Sequence, residues 1–342
     1  MPPAVTISAY TTTRNALTMD YPFLESIKSM LQFADEVVVL DSGDPNEGTL
    51  EALQALSKED PRVRALHTDQ FDWKAPNHGI FDGQTKALAR SHCKGQFLWQ
   101  FDTDEIVHEL DAPKIRPLIE KLNYLRQCSI VALPVIEYWG SKGKVRADIN
   151  PWKARLSRNL PDITHGIPVQ LRRKFNGLDY ASPGTDTCDY ISKSTGQILP
   201  VMGFMPPEID SLRHIVMKNP SKLIATYEKW FNQAVTELPG VHHYSWFSVE
   251  RKIKQYRSFW TTFWKAMYGP DSAKNKDPDW NPFFEVPWAK VTDEMIRQKA
   301  VDLENKTGGH IFHFRWSGTA TPHVTIHRSH PALIQDWVKT HG

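Results

Sequence analysis

The first 110 residues alternate near-continuous apolar runs with segments of helical period, and few folds accommodate that alternation. Ala4–Ala9 is a short β-prone run, and Glu36–Leu40 (Glu-Val-Val-Val-Leu) is an apolar strand core that ends at Asp41. Val63–His67 reads as a third strand, and Gln96–Phe101 as a fourth, ending at Asp102. Between them, Tyr21–Phe33 spaces Phe23, Leu24, Ile27, Met30 and Leu31 as a helix does. Thr49–Leu56 and Gly83–His92 repeat the helical pattern. A strand that is apolar at every position must be covered on both faces. The pattern predicts an α/β chain with a Rossmann-like, mostly parallel sheet between helical layers. Such sheets bind ligands beyond the carboxyl ends of their strands, where Asp41 and Asp102 both fall.

The rest of the chain divides differently. Ser129–Glu137 reads as a strand, and residues 138–220, rich in Gly, Pro, Asp and Arg, read as long loops with short β-like runs. Helical patterns follow at about 221–237, 248–268 and 291–305. Tyr268–Pro287 reads as a loop, and His310–Trp316 alternates like a strand. We therefore expect an α/β unit over residues 1–215 and a helical, aromatic-rich C-terminal extension over 216–342 packed on it. Charge narrows the function classes: 41 basic and 39 acidic residues leave a net charge of +2. That is not the field of an obligate nucleic-acid binder, although a local basic groove stays possible. Three cysteines, Cys93, Cys128 and Cys188, without a CxxC argue against a disulfide framework or zinc ribbon. No basic head with an apolar stretch opens the chain, and no window approaches 18 apolar residues. The expectation is a reduced, cytoplasmic protein.

Asp102-Thr-Asp104 is the sharpest chemical feature. Two carboxylates one residue apart, just past a buried strand, can aim at one divalent cation; oxygen ligands suit Mg²⁺ or Mn²⁺. Such an ion neutralises the charge that grows on a departing diphosphate. The competing reading of Asp102–Glu105 is a helix cap. A bare Asp-x-Asp arises often by chance; one that follows the fourth apolar strand of a β/α series is far more specific.

Several segments, in order, resemble the family 2 glycosyltransferases of the GT-A fold. Thr6-Ile-Ser-Ala-Tyr-Thr-Thr-Thr-Arg-Asn looks like that family's opening strand and nucleotide loop, with three threonines where the family usually has Pro-Thr/Ala-Tyr-Asn. Val37–Thr49 looks like its second strand, and Gly83-Gln-Thr-Lys-Ala-Leu-Ala like the helix before the metal strand. Phe101-Asp-Thr-Asp-Glu-Ile-Val resembles the Asp-x-Asp-Glu variant of enzymes acting on lipopolysaccharide cores. The resemblance covers roughly residues 4–110. It implies a nucleotide-diphosphate sugar donor, with a UDP-sugar favoured. Position by position, it implies that Asp41 binds the nucleobase and that Tyr10 and Arg14 line the nucleotide pocket. Lys86 would face phosphates or ribose, and Asp102 and Asp104 would serve metal and ribose. Local physics offers plainer roles for two of these: Asp41 as a turn residue in Asp-Ser-Gly-Asp-Pro, and Lys86 on a solvated helix face.

Metal sites of this fold often take a histidine from the C-terminal region. Gly240-Val-His-His-Tyr-Ser-Trp, read as a loop between helices, offers His243 first and His242 as substitute. His310, His313, His323, His327 and His330 match no zinc spacing, and a structural reading is preferred for them. An inverting transfer needs a general base, usually a carboxylate; Asp186, then Asp189 and Glu137, are the candidates. The run Trp152-Lys-Ala-Arg-Leu-Ser-Arg-Asn could meet phosphate or form an amphipathic strand. On the 248–268 segment, Tyr256, Phe259, Trp260, Phe263 and Trp264 lie among basic residues. Core packing is the default for that stripe; sugar stacking, peripheral membrane contact and polynucleotide contact are alternatives. A glycan or lipid-linked saccharide such as a lipopolysaccharide core is the favoured acceptor. A modified base in DNA is the alternative, and a non-catalytic nucleotide-sugar or carbohydrate-binding protein the rival of another class. A sugar nucleotidyltransferase would show glycines near the N-terminus, and Ser8–Asn15 has none.

Overall fold

Val37–Leu40 of the second strand are buried on both faces, which sets the architecture. Val37 and Val39 pack with Phe23, Ile27 and Leu53 on one side, while Val38 and Leu40 pack with Ala89 and Leu98 on the other. The computed structural model describes residues 5–125, 128–140, 143–146, 152–203, 224–257, 261–269, 283–284, 286–306 and 323–342. The first stretch alternates as the sequence implies: β1 (Ile7–Thr13), α1 (Phe23–Met30), β2 (Glu36–Asp41), α2 (Thr49–Glu59), β3 (Val63–His67), α3 (Phe81–Ser91) and β4 (Phe97–Gln100). Then come β5 (Glu105–Val107), α4 (Ala112–Tyr124), β6 (Ile130–Trp139), β7 (Lys144–Arg146) and β8 (Trp152–Arg158). Four short strands follow: β9 (Ile163–Gly166), β10 (Arg172–Phe175), β11 (Leu178–Ala181) and β12 (Asp189–Ser192). The C-terminal part holds α5 (Ile224–Glu237), β13 (Val241–Trp246), α6 (Val249–Gln255), α7 (Thr261–Tyr268), α8 (Asp293–Lys306), β14 (His323–Thr325) and α9 (Gln335–His341).

The ten-stranded sheet runs β14-β7-β6-β8-β4-β1-β2-β3, with β13 bridging β5 and β6. β3, β2, β1 and β4 run parallel to one another; β8 pairs antiparallel with β4, and β6 antiparallel with β8. Strand order reverses between β1 and β4, and the crevice at such a reversal is where open α/β sheets bind ligands. β1 extends past the expected Ala9 to Thr13, so the three threonines finish a strand instead of forming a loop. Their branched side chains suit extended backbone, and the register sets Thr13 opposite Asp41.

One expectation needs correction. The 240–246 segment is a strand, parallel to β6 and antiparallel to β5; its local composition suggests a loop, and only its distant partners make it extended. The 248–268 segment holds α6 and α7, with residues 258–260 between them outside the described residues. Beside its helices, the region past 215 returns β13 and β14 to the main sheet. The expected boundary near 215 and the strand at His310–Trp316 lie outside the described residues. Among the described residues no helix is long and apolar enough to cross a membrane.

Candidate active site

A cavity of about 340 Å³ opens at the carboxyl ends of β1 and β4. Thr12, Thr13 and Arg14 border it from β1 and the loop beyond, and Asp102, Thr103 and Asp104 from the turn after β4. That turn is tightly fixed. Glu105 N–H donates to the Asp102 carbonyl at 3.0 Å, and Ser26 on α1 donates its hydroxyl to the Glu105 carbonyl at 2.6 Å. Gly43 lets the loop after β2 approach the loop after β1: a Cβ there would stand 2.7 Å from the Asn15 nitrogen. Ser42 is thereby placed on the cavity wall.

The two aspartates have different surroundings. Asp102 accepts from Lys86 Nζ at 2.9 Å, from Gln100 Nε2 at 3.1 Å and from Arg155 Nη2 at 2.9 Å. Arg155 is anchored from behind by the fully buried Glu105, which accepts from its Nη2 at 2.5 Å and its Nε at 2.8 Å. Burial pushes Asp102 up, yet Lys86 and Arg155 overcome it and hold the carboxyl well below the usual carboxylate range. Asp104 meets histidine instead: its Oδ1 lies 3.2 Å from His243 Nε2, and His243 Nδ1 lies 2.5 Å from Glu137 Oε2. Burial disfavours the imidazolium, but Glu137 and Asp104 outweigh it and raise His243 to about 9. Alternation along β13 decides which histidine faces the cavity. His243 and Ser245 line it, whereas His242 is fully buried with its Nδ1 2.9 Å from the Tyr138 hydroxyl. Burial drives His242 well below its ordinary value, so it is neutral.

The other expected residues sit as follows. Arg14 lines the cavity with its guanidinium 4.2 Å from the Trp73 ring centre, and burial lowers it to about 10. Lys86 lines it and also lies 3.7 Å from Asp82. Asp41 is 0% exposed; it accepts from the Thr13 hydroxyl at 2.8 Å and lies 3.0 Å from His67 Nδ1, and Ser42 rather than Asp41 borders the cavity. Tyr10 is likewise fully buried below it, its hydroxyl 2.5 Å from His165 Nε2. Glu137 stands behind His243, off the cavity wall, and also lies 3.4 Å from Lys153. Asp186 is exposed and accepts from Cys188 N–H at 2.8 Å; Asp189 is half-buried on β12. Neither borders the cavity. Their loop rests on α3, where Gly83 is needed because a side chain would collide with the Thr187 carbonyl.

Sequence reasoning missed several contributors to the wall, among them Asp82, Trp73, Ser245 and Lys252. Asp82 sits in the first turn of α3 and accepts from the Cys188 thiol at 2.8 Å. The basic run on β8 does enter the site: Lys153 lines it, and Arg155, two residues on and so on the same face, braces Asp102. Of the aromatic stripe, Tyr256 is buried against Trp246 and Phe283, and Phe263 lines the cavity's end while packing on Ile80 and Met267. Phe259, Trp260 and the Trp264 side chain lie outside the described residues. His330 lies with its Nδ1 3.0 Å from the Tyr244 hydroxyl, a packing role, while His310 and His313 lie outside the described residues. Among the described residues no three His, Cys, Asp or Glu side chains converge on a common metal position. Among the described residues, Asp104 and His243 are a pair of such donors brought together at the cavity.

No curated protein sequence matches the chain. Solved structures similar to it include a mannosyltransferase from Pyrobaculum calidifontis in complex with GDP-Man and Mn²⁺, 10% identical over 46% of this chain and 45% of that one, TM-score 0.32. The chain thus spans less than half the length of that protein. S. aureus TarS, residues 1–349, is 13% identical over 88% and 89% of the two chains, TM-score 0.32. Glucosyl-3-phosphoglycerate synthase from Mycobacterium tuberculosis, in complex with Mg²⁺ and UDP, is 18% identical over 38% and 44%, TM-score 0.27. The sequence profile described as glycosyl transferase family 2 matches residues 8–169. That span begins inside β1, crosses Asp102 and Asp104, and ends just beyond β9. Its parallel strands and the acidic turn after β4 all fall in that frame, so residues 8–169 are the part of the chain that is similar to the glycosyl transferase family 2 model.

Proposed function

We propose that the cavity binds a nucleoside diphosphate sugar, with a UDP-sugar favoured, and passes its sugar to an acceptor hydroxyl with inversion. The observation that carries this reading is the Asp104–His243–Glu137 chain. A carboxylate at Nδ1 orients an imidazole so that Nε2 is left for a cation, as is usual for histidine ligands. Asp104 adds a hard oxygen beside that nitrogen. Mn²⁺ or Mg²⁺ fits this donor set, because such ions are commonly held by one or two protein groups plus substrate phosphates and water. When bound, the ion supplies Lewis-acid neutralisation of the departing diphosphate.

The chain's own groups do the rest. Asp102, kept ionised by Lys86 and Arg155, suits acceptance of ribose hydroxyl hydrogen bonds. Its commitment to those two cations makes it a weaker metal ligand than Asp104. Asp41 acts on the nucleobase through Thr13, which it holds at the cavity wall, while Arg14 and Trp73 offer a flat, cationic surface beside it. Glu137 orients His243 and does not meet the acceptor. Asp82, on the wall next to Lys86, is better placed than Asp186 or Asp189 to take the acceptor's proton. A saccharide, as in a glycan or lipopolysaccharide core, is the acceptor class we favour.

The test is a thermal-shift screen of UDP-, GDP-, TDP- and CMP-sugars with and without Mn²⁺. A UDP-sugar with Mn²⁺ is expected to raise Tm most. The reading fails if no nucleotide sugar stabilises the protein even with metal.

A further inference from the structure

We propose that Cys188 is the positioning residue for the base of the transfer: its thiol holds one carboxylate oxygen of Asp82 and leaves the other for the acceptor hydroxyl. This deepens the transfer reading above and rests on it. Asp82 lies in the first turn of α3 and lines the cavity, and its side chain is 39% exposed. The last torsion of an aspartate is soft, so a carboxylate this open turns unless something holds it. Two described groups reach its Oδ2. Lys86 Nζ lies 3.7 Å away and is committed to Asp102 at 2.9 Å, which makes it the looser partner. The Cys188 thiol donates to the same oxygen at 2.8 Å. Among the described residues nothing donates to Oδ1.

The sulfur is held more firmly than the carboxylate it meets. Cys188 N–H donates to Asp186 Oδ1 at 2.8 Å, and the Cys188 carbonyl lies 2.9 Å from His165 Nδ1. Burial lowers His165 to about 3, so its ring is neutral. A carbonyl can only accept, so Nδ1 carries the hydrogen and Nε2 accepts from the Tyr10 hydroxyl. One residue back, the Thr187 carbonyl occupies the space that a side chain at Gly83 would need. The end of this loop is thereby fixed against α3 and β9 and, through Tyr10, against β1. Burial, followed by the Asp82 charge, pushes the thiol well above its ordinary value, so it stays protonated and remains a donor at neutral pH. A neutral donor suits this place, because it orients the carboxylate while taking less of its basicity than a close ion pair would. During transfer the acceptor oxygen bonds to the anomeric carbon as the bond from that carbon to the diphosphate breaks, and the electron pair of that bond leaves on the diphosphate. The acceptor's proton passes to Asp82 Oδ1, and Cys188 keeps its own.

The test is Mn²⁺-dependent hydrolysis of UDP-glucose, UDP-N-acetylglucosamine and GDP-mannose, with water in the acceptor's place, followed on whichever sugar the wild type turns over fastest. Cys188→Ala is expected to lower kcat about tenfold while KM for the donor stays within about twofold, the size of one hydrogen bond lost from the transition state. Cys188→Ser keeps a donor and should recover most of that loss. Asp82→Asn alone should cost about 10²-fold. Adding Cys188→Ala to it should cost nothing further, because the thiol acts only through that carboxylate. Unchanged kcat in Cys188→Ala overturns the assignment, and so does a full further loss in the Asp82→Asn background, which would mark a merely structural role. A loss that Cys188→Ser leaves in place overturns it as well. Should Cys188→Ala fail to fold, Cys188→Val, which fills the thiol's space without a donor, carries the same expectations. Wild-type kcat in Asp82→Asn removes the base itself, and this assignment falls with it, whereas a normal loss there beside an unaffected Cys188→Ala sinks this assignment alone.

Discussion

The two aspartates of one short turn are held by two regions built in different ways. Asp102 belongs to the parallel half. Its partners Lys86, Gln100 and Arg155 come from α3, β4 and β8, all within the segment matched to the family. Asp104 belongs to the β5–β13–β6 patch, where His243 lies 106 residues after the Glu137 that orients it. The first region keeps a carboxylate ionised among cations; the second pairs one with an imidazole. A turn at the seam thus presents two carboxylates in unlike surroundings, one among cations and one beside an imidazole.

The largest effect should come from the Asp104 side. Asp104→Asn is expected to lower Mn²⁺-dependent donor hydrolysis about 10³-fold, as loss of a group stabilising transition-state charge does. Donor turnover followed by nucleotide release measures it, and wild-type turnover would remove this region from the chemistry. Next, across the seam, Asp82→Asn should cost about 10²-fold in kcat for transfer while sparing donor affinity, the signature of a lost general base. A matching fall in donor affinity with kcat intact would make Asp82 a binding group instead. Glu137→Gln leaves the His243 contact possible but uncharged; Mn²⁺ affinity should drop about tenfold, the low end for a group that orients a ligand. Equal metal affinity in calorimetry would separate Glu137 from the metal-side chain.

The smallest effect lies outside both regions. Burial, followed by the nearby Asp186 charge, raises Asp189 to about 6. A carboxyl whose folded value exceeds its unfolded value binds more protons when folded, so stability falls as pH rises from about 4 through 6. Asp189→Asn should then raise Tm at pH 7–8 by about 1–3 °C, with the gain disappearing near pH 3.5 and transfer rates unchanged. A large loss of kcat in this variant would return Asp189 to the role of base.

Much of the first region is legible in the residues themselves. Val37–Leu40 and Phe97–Gln100 are apolar at nearly every position, so they announce two-sided burial, and Asp102 follows directly from the strand end. The Lys-x-Arg alternation on β8 also announces a shared face, though not that Lys153 would reach the cavity while Arg155 braced Asp102. The second region is much less legible. Val241–Trp246 mixes histidine, tyrosine and serine in a way that fits a loop as well as a strand, and its extended form depends on β5 and β6. Asp82 and Lys252 look like solvated helix residues until distant loops and strands close around them. Asp41 shows the reverse: its place at a strand end suggests open contact with ligand, yet Thr13 and His67 enclose it.

By itself, the sequence determined the parallel nucleotide half and the acidic turn, because periodicity and burial are local properties that neighbouring residues can encode. Only the tertiary structure decided that His243 faces the cavity and His242 does not, that Glu137 stands behind a histidine, and that Lys252 shares the wall with Asp104. Those outcomes depend on the register of β13 between two strands far away in the chain, and a shift of one residue would have exchanged the two histidines.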